Sequence, residues 1–573
     1  MRVEEGFQPN PIHLPHPYTE DVVLPSLFKR IFPHQSEIQS ELVRWGNEIR
    51  GPIQAIGALC DPPSSHPSLR QYDEWGRRID ELSTSPGWRA LKAITFKEGL
   101  ISIAYERNKY AEWARVYSFA KIVIYNADAR MILCPFSMTD GCARVLELFG
   151  TEEMKRDILP RLLSRDPSQG FTAGQWMTER PGGSDLTHTE TTAKLVREST
   201  SAESFGSQEW CLDGFKWFSS ATDGNLSVAL ARTGPTSLGS RSLSLFIVPL
   251  RLPLIASPPR STLGINTDAL PSLYPGATRS NNIYVHRLKN KIGTHPVPTA
   301  ELSLNGAKGY LIGSLNEGVK TISPVLNITR LHSAILSVSS LSRCLQIARS
   351  YASIRTISSS AGGDTLLRDL PLHTFTLAKV SVLYRALTHL TFGVVCLLGR
   401  SENGNATMEE NAMLRLLTPV AKGFVASYAV GGMEECMIAL GGQGYMEETG
   451  IGRMIRDASV EKIWEGTANV LALDVIRACA GGRVMNAFSA WGMKAISQNT
   501  LDESRTQLPL STVVYRPIFF LLGQVASGLF LLEHACWAVR EGEETAAADL
   551  EAFRRWVRDG PVDGGSGGGT GGA

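Results

Sequence analysis

Residues 175–185 read Gln175-Trp176-Met177-Thr178-Glu179-Arg180-Pro181-Gly182-Gly183-Ser184-Asp185. The Gly182-Gly183 pair lets a backbone approach an anion closely. Thr178 and Ser184 offer hydroxyls that can donate to a ring heteroatom or a phosphate. The stretch has neither a G-x-G-x-x-G nor a Walker lysine pattern. Taken alone, Pro-Gly-Gly-Ser-Asp is also simply a good turn. Two more segments carry chemistry. In Lys216-Trp217-Phe218-Ser219-Ser220, a Trp beside a Ser at a strand end could stack on a flat ring and donate to it, or be a core Trp-Phe pair. In Ser459-Val460-Glu461-Lys462-Ile463-Trp464-Glu465-Gly466-Thr467-Ala468-Asn469, Glu465 stands between Trp464 and Gly466. A carboxylate desolvated beside an aromatic ring suits a general base. The alternative is a helix-start glutamate favoured by the dipole.

Working outward, the chain reads as helical, then β, then helical again, with an extension. Helical texture over Ser36–Ile49, Ala90–Ala114 and Arg144–Leu159 predicts an N-terminal helical domain at 1–165, with a loop at Cys60–His66. Trp210 to Phe218, two strand-like runs around Asp213-Gly214, predicts a hairpin. Short apolar runs at Leu226–Ala231, Leu243–Val248 and Asn282–Val285 complete a β domain at 166–303. Long helical stretches at Val319–Arg355, Leu372–Leu398 and Asn411–Leu440, the last stopped by Gly441-Gly442, fill 304–485. A helical extension follows at 486–560, and a Gly-rich tail, expected to be flexible, at 561–573.

Composition narrows the class. The 573 residues are 43% apolar and 20% charged, with a net charge of +1. That excludes a polycation built throughout for nucleic acid and argues against disorder. Nine scattered cysteines without a CxxC pair fit reduced thiols and no metal site. The N-terminus shows no secretory h-region and carries Glu4 and Glu5 early, and the C-terminus is not a peroxisomal address, so an intracellular, cytoplasmic protein is expected. The apolar run Pro517–Leu532 is shorter than the roughly 20 residues of a spanning helix and reads as a buried helix, so no membrane span is expected.

Together, the three segments resemble the acyl-CoA dehydrogenase family in order, spacing and placement, over about residues 10–485. Within it the chain is most similar to the AidB-type branch. The features are Arg70-Gln71-Tyr72-Asp73-Glu74-Trp75-Gly76-Arg77-Arg78-Ile79-Asp80, Cys134-Pro135-Phe136-Ser137-Met138-Thr139, Ile463-Trp464-Glu465-Gly466-Thr467-Ala468-Asn469 and the extension. The resemblance implies an α+β protein of that family's fold, with FAD as cofactor. It implies that Met177, Thr178, Gly183 and Ser184 meet the flavin pyrimidine edge and pyrophosphate, and that Trp217 and Ser219 meet the ring and its N5 side. Thr467 and Asn469 would lie near the FAD phosphates or adenosine. Glu465 would remove the α proton of an acyl thioester while flavin N5 accepts the β hydride, giving a 2,3-double bond. The Glu465 N–H and a ribityl hydroxyl would hold the thioester oxygen. Arg330 matches a pocket arginine in some members, and a helix-surface arginine is the other reading.

The implied partners are an acyl thioester on CoA or a carrier, an electron acceptor that is a flavoprotein or oxygen, and further copies in a homodimer or homotetramer. Two features depart from the family. Where many members have Arg-x-x-Phe-Gly, this chain has Arg355-Thr356-Ile357-Ser358-Ser359, and Ile438 stands where a polar residue often precedes the Gly-Gly-x-Gly loop. Both weaken the expected inter-subunit grip on FAD. A DNA-associated flavoprotein of the AidB kind is one alternative, yet residues 481–573 hold eight Lys or Arg against ten Asp or Glu, a net −2 that disfavours phosphate binding. A flavin oxidase on a non-CoA substrate is the other.

Overall fold

The computed structural model describes residues 12–33, 36–196, 205–255, 279–358, 363–498 and 515–561. The Gly-rich tail beyond 561, and Ser359 to Gly362 of the departing motif, lie outside them. Two compact units form. One takes Met1–Gln54, Glu106–Asp128 and Arg330–Ala573, and the other Ala55–Tyr105 and Ala129–Thr329. The stretch expected as one N-terminal helical domain is thus divided between them.

The second unit is built on a sheet. The segment 68–83 is a hairpin of β1 (Ser68–Tyr72) and β2 (Arg78–Ser83), not helix, and turns through Gly76 at φ 74°. The main strands are β3 (Ala173–Trp176), β4 (Thr192–Leu195), β5 (Glu209–Ser220), β6 (Leu226–Arg232) and β7 (Leu243–Pro249). Two short strands, β8 (Arg251–Leu252) and β9 (Arg279–Ser280), lead to β10 (Ile283–Leu288) and β11 (Thr299–Ile312). Successive pairings β11–β5, β5–β4, β4–β6, β6–β7 and β7–β11 close a ring. Side chains alternate across these strands. Leu226, Val228 and Leu230 pack with Leu243, Leu245 and Ile247 against the helices around Cys142 to Leu162. Ala229, Ala231, Phe246 and Val248 face Trp176, Trp210 and Leu302 on the other side.

Three expectations fail here. Trp210 to Phe218 is one continuous strand and not a hairpin, because β5 pairs along its length with β11. Gly214 is needed for packing instead: a Cβ there would stand 2.4 Å from the Thr191 hydroxyl and 2.6 Å from its Cα. The helix expected over Ala90–Ala114 ends at Lys97, where Gly99 turns the chain at φ 62°. The helix from Leu133 ends at Phe149, Gly150 is extended, and Glu152–Asp157 restarts under a Thr151 cap.

The first unit is helical. Long helices Pro371–Glu402 and Met408–Ala439 pack on each other, with Ala468–Cys479, Tyr515–Glu541 and Ala546–Asp559 around them. A capping box starts the second: Glu410 N–H donates to the Thr407 hydroxyl at 3.1 Å, and Thr407 N–H to the Glu410 carboxylate at 2.8 Å. Its expected stop holds, with Gly441 left-handed at φ 61°. In place of Arg-x-x-Phe-Gly, Thr356–Ser358 pairs with Asp364–Leu366 as a short ladder. The apolar run at 517 lies inside a 27-residue helix, longer than its sequence suggested. Pro371–Glu402 and Pro517–Glu541 are both long and apolar enough to cross a membrane, yet 72% and 61% of their most apolar windows are buried inside the protein.

Candidate active site

The expected residues fall into two groups, one in each unit. In the sheet unit, β3 delivers Met177 and Thr178 at its end, and the loop turns through a Glu179–Gly182 bridge. The Thr178 carbonyl accepts from Trp217 N–H at 3.0 Å, so this loop and β5 are joined at the expected positions. What anchors the loop is Glu179. Its carboxylate accepts from Lys216 Nζ at 2.6 Å, Glu190 N–H at 2.6 Å and Thr191 N–H at 3.2 Å. Burial would raise the Glu179 carboxyl, but the Lys216 ammonium and these donors hold it below the ordinary carboxylate value. Lys216 also donates to the Leu230 carbonyl at 2.9 Å.

Two features of the sheet unit bear on a bound cofactor. The Ser219 hydroxyl is fully buried and finds no hydrogen-bond partner among the described residues, although buried hydroxyls are normally satisfied. Gly183 and Ser184 are exposed, and a Cβ at Gly183 would crowd Thr178 at 3.2–3.3 Å. A cradle that a methyl group would fill, beside a waiting donor, fits a flavin and its phosphates. Trp217 is half-buried and Phe218 is 55% exposed, so they are not a core pair. Lys289 Nζ covers one face of Trp217 at 3.2 Å from the ring centroid and is itself held by Glu301 at 2.8 Å.

In the helical unit, Glu465 is not in a helix. It lies two residues before Thr467, the N-cap of Ala468–Cys479, in the left-handed region at φ 58°, followed by Gly466 at φ 108°. A non-glycine residue there stores roughly 1–3 kcal/mol, and such residues concentrate at functional sites. Two buried cations hold this loop. Arg330 Nε donates to the Glu465 carbonyl at 3.3 Å, and Lys422 Nζ to the Gly466 carbonyl at 2.7 Å. Arg330 is therefore no surface arginine. It is 9% exposed and paired with Asp474 at 2.9 Å, which Arg415 also meets at 2.6 Å. Thr467 and Asn469 are both exposed at the helix start.

Behind the loop lies a second carboxylate. Glu461 is 1% exposed, and Trp464 Nε1 donates to it at 2.5 Å. Burial pushes the Glu461 carboxyl up and pulls the Lys422 ammonium down, each against the attraction of the other's charge. Sequence reasoning missed Glu179, Lys216 in its ionic role, Lys422 and Glu461. A lone lysine in the apolar run from Thr418 to Val425 was a readable signal of a buried charge with a task.

Comparison with known proteins assigns the class. The family description "Acyl-CoA dehydrogenase, C-terminal domain" matches residues 316–480, and "Adaptive response protein AidB N-terminal domain" matches residues 8–167. The chain belongs to the acyl-CoA dehydrogenase family, and is an FAD-dependent oxidoreductase. It is 34% identical to acyl-CoA dehydrogenase family member 11 of Caenorhabditis elegans, over 97% of this chain and 90% of that protein. The solved structure of C. elegans ACDH-11 in complex with C11-CoA superposes with a TM-score of 0.84 at 33% identity, covering 97% of this chain and 93% of that one. The structure titled Bd2924 apo-form gives 0.78 at 35% identity, with 92% and 99% covered. The putative acyl-CoA dehydrogenase AidB of Escherichia coli is 28% identical over 72% of this chain and 69% of its own length.

Proposed function

We propose that the chain dehydrogenates a CoA thioester at its 2,3-carbons, with Glu465 as the base. The observation that carries this reading is the Glu465 loop: a carboxylate in a strained conformation, its own carbonyl and the next both gripped by buried cations. Such restraint suits a group that must meet one C–H bond in one geometry. Bound FAD supplies the hydride acceptor. Thr178, Ser184 and Ser219 would hold and orient it from the sheet unit, with Met177, Gly183 and Trp217 as further candidates there, and Thr467 and Asn469 are the candidate contacts that the helical unit offers. Glu465 takes the α proton at its carboxylate, and its N–H steadies the thioester oxygen.

The C. elegans relative, solved with C11-CoA, makes an eleven-carbon acyl-CoA the first substrate to try. The electron acceptor is a flavoprotein or oxygen, and the working protein is a homo-oligomer. Nucleic acid is not its partner, in line with the net −2 of residues 481–573. The experiment is anaerobic: FAD-loaded protein is mixed with acyl-CoA esters of graded length, and the flavin band is followed. Bleaching by one length class is the expected result. A band that persists with every thioester, but falls with a non-CoA substrate, rejects dehydrogenation of acyl-CoA.

A further inference from the structure

We propose that Lys289 is a positioning residue for the cofactor: its ammonium, anchored by Glu301, fixes the Trp217 indole from one face, so that the ring is a preset platform for FAD. This inference rests on the reading that Trp217 meets the flavin. The sheet marks the place. β5 pairs with β11 as Ser219 with Ala300 and Lys216 with Leu302, so Trp217 and Phe218 together stand opposite the single residue Glu301. That is a β-bulge, a device that re-aims a side chain and is common beside active sites. Successive side chains of a regular strand point to opposite faces. Here one ammonium reaches both rings: Lys289 Nζ lies 3.2 Å from the Trp217 ring centroid and 4.7 Å from that of Phe218. Lys289 comes from just past the end of β10, with β11 between it and β5, and its N–H donates to the Thr299 carbonyl at 2.8 Å. Its Nζ pairs with Glu301 at 2.8 Å. The charge of Glu301 does not account for this lysine. Arg287 Nε already meets the same carboxylate oxygen at 2.7 Å, from a side chain that is 68% exposed. The Lys289 side chain is only 10% exposed. Drawing a second cation out of water is costly, and what this one adds is the contact with the rings. Cation–π attraction strengthens as the pair is desolvated, and Trp is its best partner. Trp217 itself stays half-buried, two residues from the Ser219 hydroxyl that finds no partner among the described residues. The indole thus keeps accessible surface for a flat ligand while Lys289 restrains its swing, which lowers the ordering cost of binding.

The test follows FAD release from full-length, FAD-loaded protein on serial dilution, read by the fluorescence of the freed flavin, with a thermal midpoint for each variant. Wild type is compared with Lys289→Met, Lys289→Arg, Glu301→Gln, Trp217→Ala and the double variant of Lys289→Met with Trp217→Ala. Lys289→Met keeps an unbranched side chain but loses the charge, and should raise the FAD dissociation constant roughly three- to tenfold. Lys289→Arg, which can also cover an indole face, brings the constant back near wild type. Glu301→Gln frees the ammonium and weakens binding in the same direction. Trp217→Ala weakens it roughly tenfold. Adding Lys289→Met to Trp217→Ala weakens it no further, because the lysine acts through the ring. A lysine that merely braced the sheet would lower the thermal midpoint and leave FAD affinity in place, or weaken it by the same factor with and without the indole. Either result in a folded Lys289→Met protein overturns the proposal. If that variant does not fold, unchanged FAD release from Glu301→Gln does so. A Trp217→Ala protein that holds FAD as wild type does removes the indole as platform, and the proposal with it. None of these readings depends on a thioester, so a failure of the dehydrogenation reading would leave them standing.

Discussion

At the scale of single residues, Glu465 and Ser219 bear on separable properties. Glu465→Gln keeps shape and hydrogen-bonding reach but cannot accept the proton. General-base catalysis is worth about 10² to 10⁴-fold, so reduction by the preferred thioester should slow by at least roughly 10² with FAD still bound. Stopped-flow absorbance of the loaded variant measures this, and a near-normal rate would remove Glu465 from the chemistry. Ser219→Ala makes the complementary forecast. The hydroxyl is buried without a partner among the described residues, so its loss should leave the thermal midpoint of the apoprotein almost unchanged. If it donates to the flavin, FAD should bind up to roughly tenfold more weakly, the worth of one net hydrogen bond. Titration of apoprotein with FAD settles the matter. Glu465 was legible because a Glu-Gly-Thr segment before a helix can be seen in the sequence, and Ser219 because it ends an aromatic strand. Lys422 and Glu461 were not, since only the folded chain brings a mid-helix lysine to a carbonyl 44 residues away.

Among the elements, the C-terminal extension belongs to the core of its unit. Gly523, on Tyr515–Glu541, lies so close to Phe424 that a Cβ would stand 2.4 Å from its ring, and Gly423 meets Phe519 in the same way at 2.5 Å. Trp556 is 1% exposed, and its Nε1 donates to the Gln524 carbonyl at 3.0 Å. Gly523→Val should overpack this crossing and cost roughly 1–3 kcal/mol. Calorimetry should show a lower midpoint while the flavin spectrum of the loaded protein stays as in wild type. The long helices were legible because they are rich in Leu, Ala, Ile and Val over many turns, although Pro324 and Pro419 lie inside two of them. The β1–β2 hairpin was not, because no residue of its strands is buried and no apolar alternation betrays them. β5 was misread for the opposite reason. Asp213-Gly214 carries a turn's chemistry, but the glycine serves close packing against Thr191.

For the molecule as a whole, acid stability should hinge on two buried histidines. His389 and His534 are 2% and 1% exposed, with ring centroids 4.4 Å apart. Burial, then the neighbouring His534, Arg30 and Arg385, pulls His389 well below its ordinary value. Burial also lowers His534, against the pull of Asp549. Both are therefore neutral in the fold, while the unfolded chain takes up protons near pH 6.5. Their contribution is fully present above about pH 6.5 and is lost as pH falls below it, at up to about 1.4 kcal/mol per pH unit for each group. Urea midpoints at pH 7.5 and 5.5 should show the drop, and His389→Gln should lessen it. A wild-type midpoint equal at both values would count against neutral histidines in the core.

The order of the chain also bears on its synthesis. Every residue of the sheet unit, Ala55–Tyr105 and Ala129–Thr329, has been made once Thr329 leaves the ribosome. The helical unit draws on Met1–Gln54 and Glu106–Asp128 at one end and on Arg330–Ala573 at the other. Its early apolar segments, with Phe28, Trp45 and Phe119 destined for full burial, must wait through the translation of some 200 further residues for the helices that cover them. At about 5–20 residues per second that is an interval of tens of seconds, during which a nascent chain of this design is a client for holding chaperones.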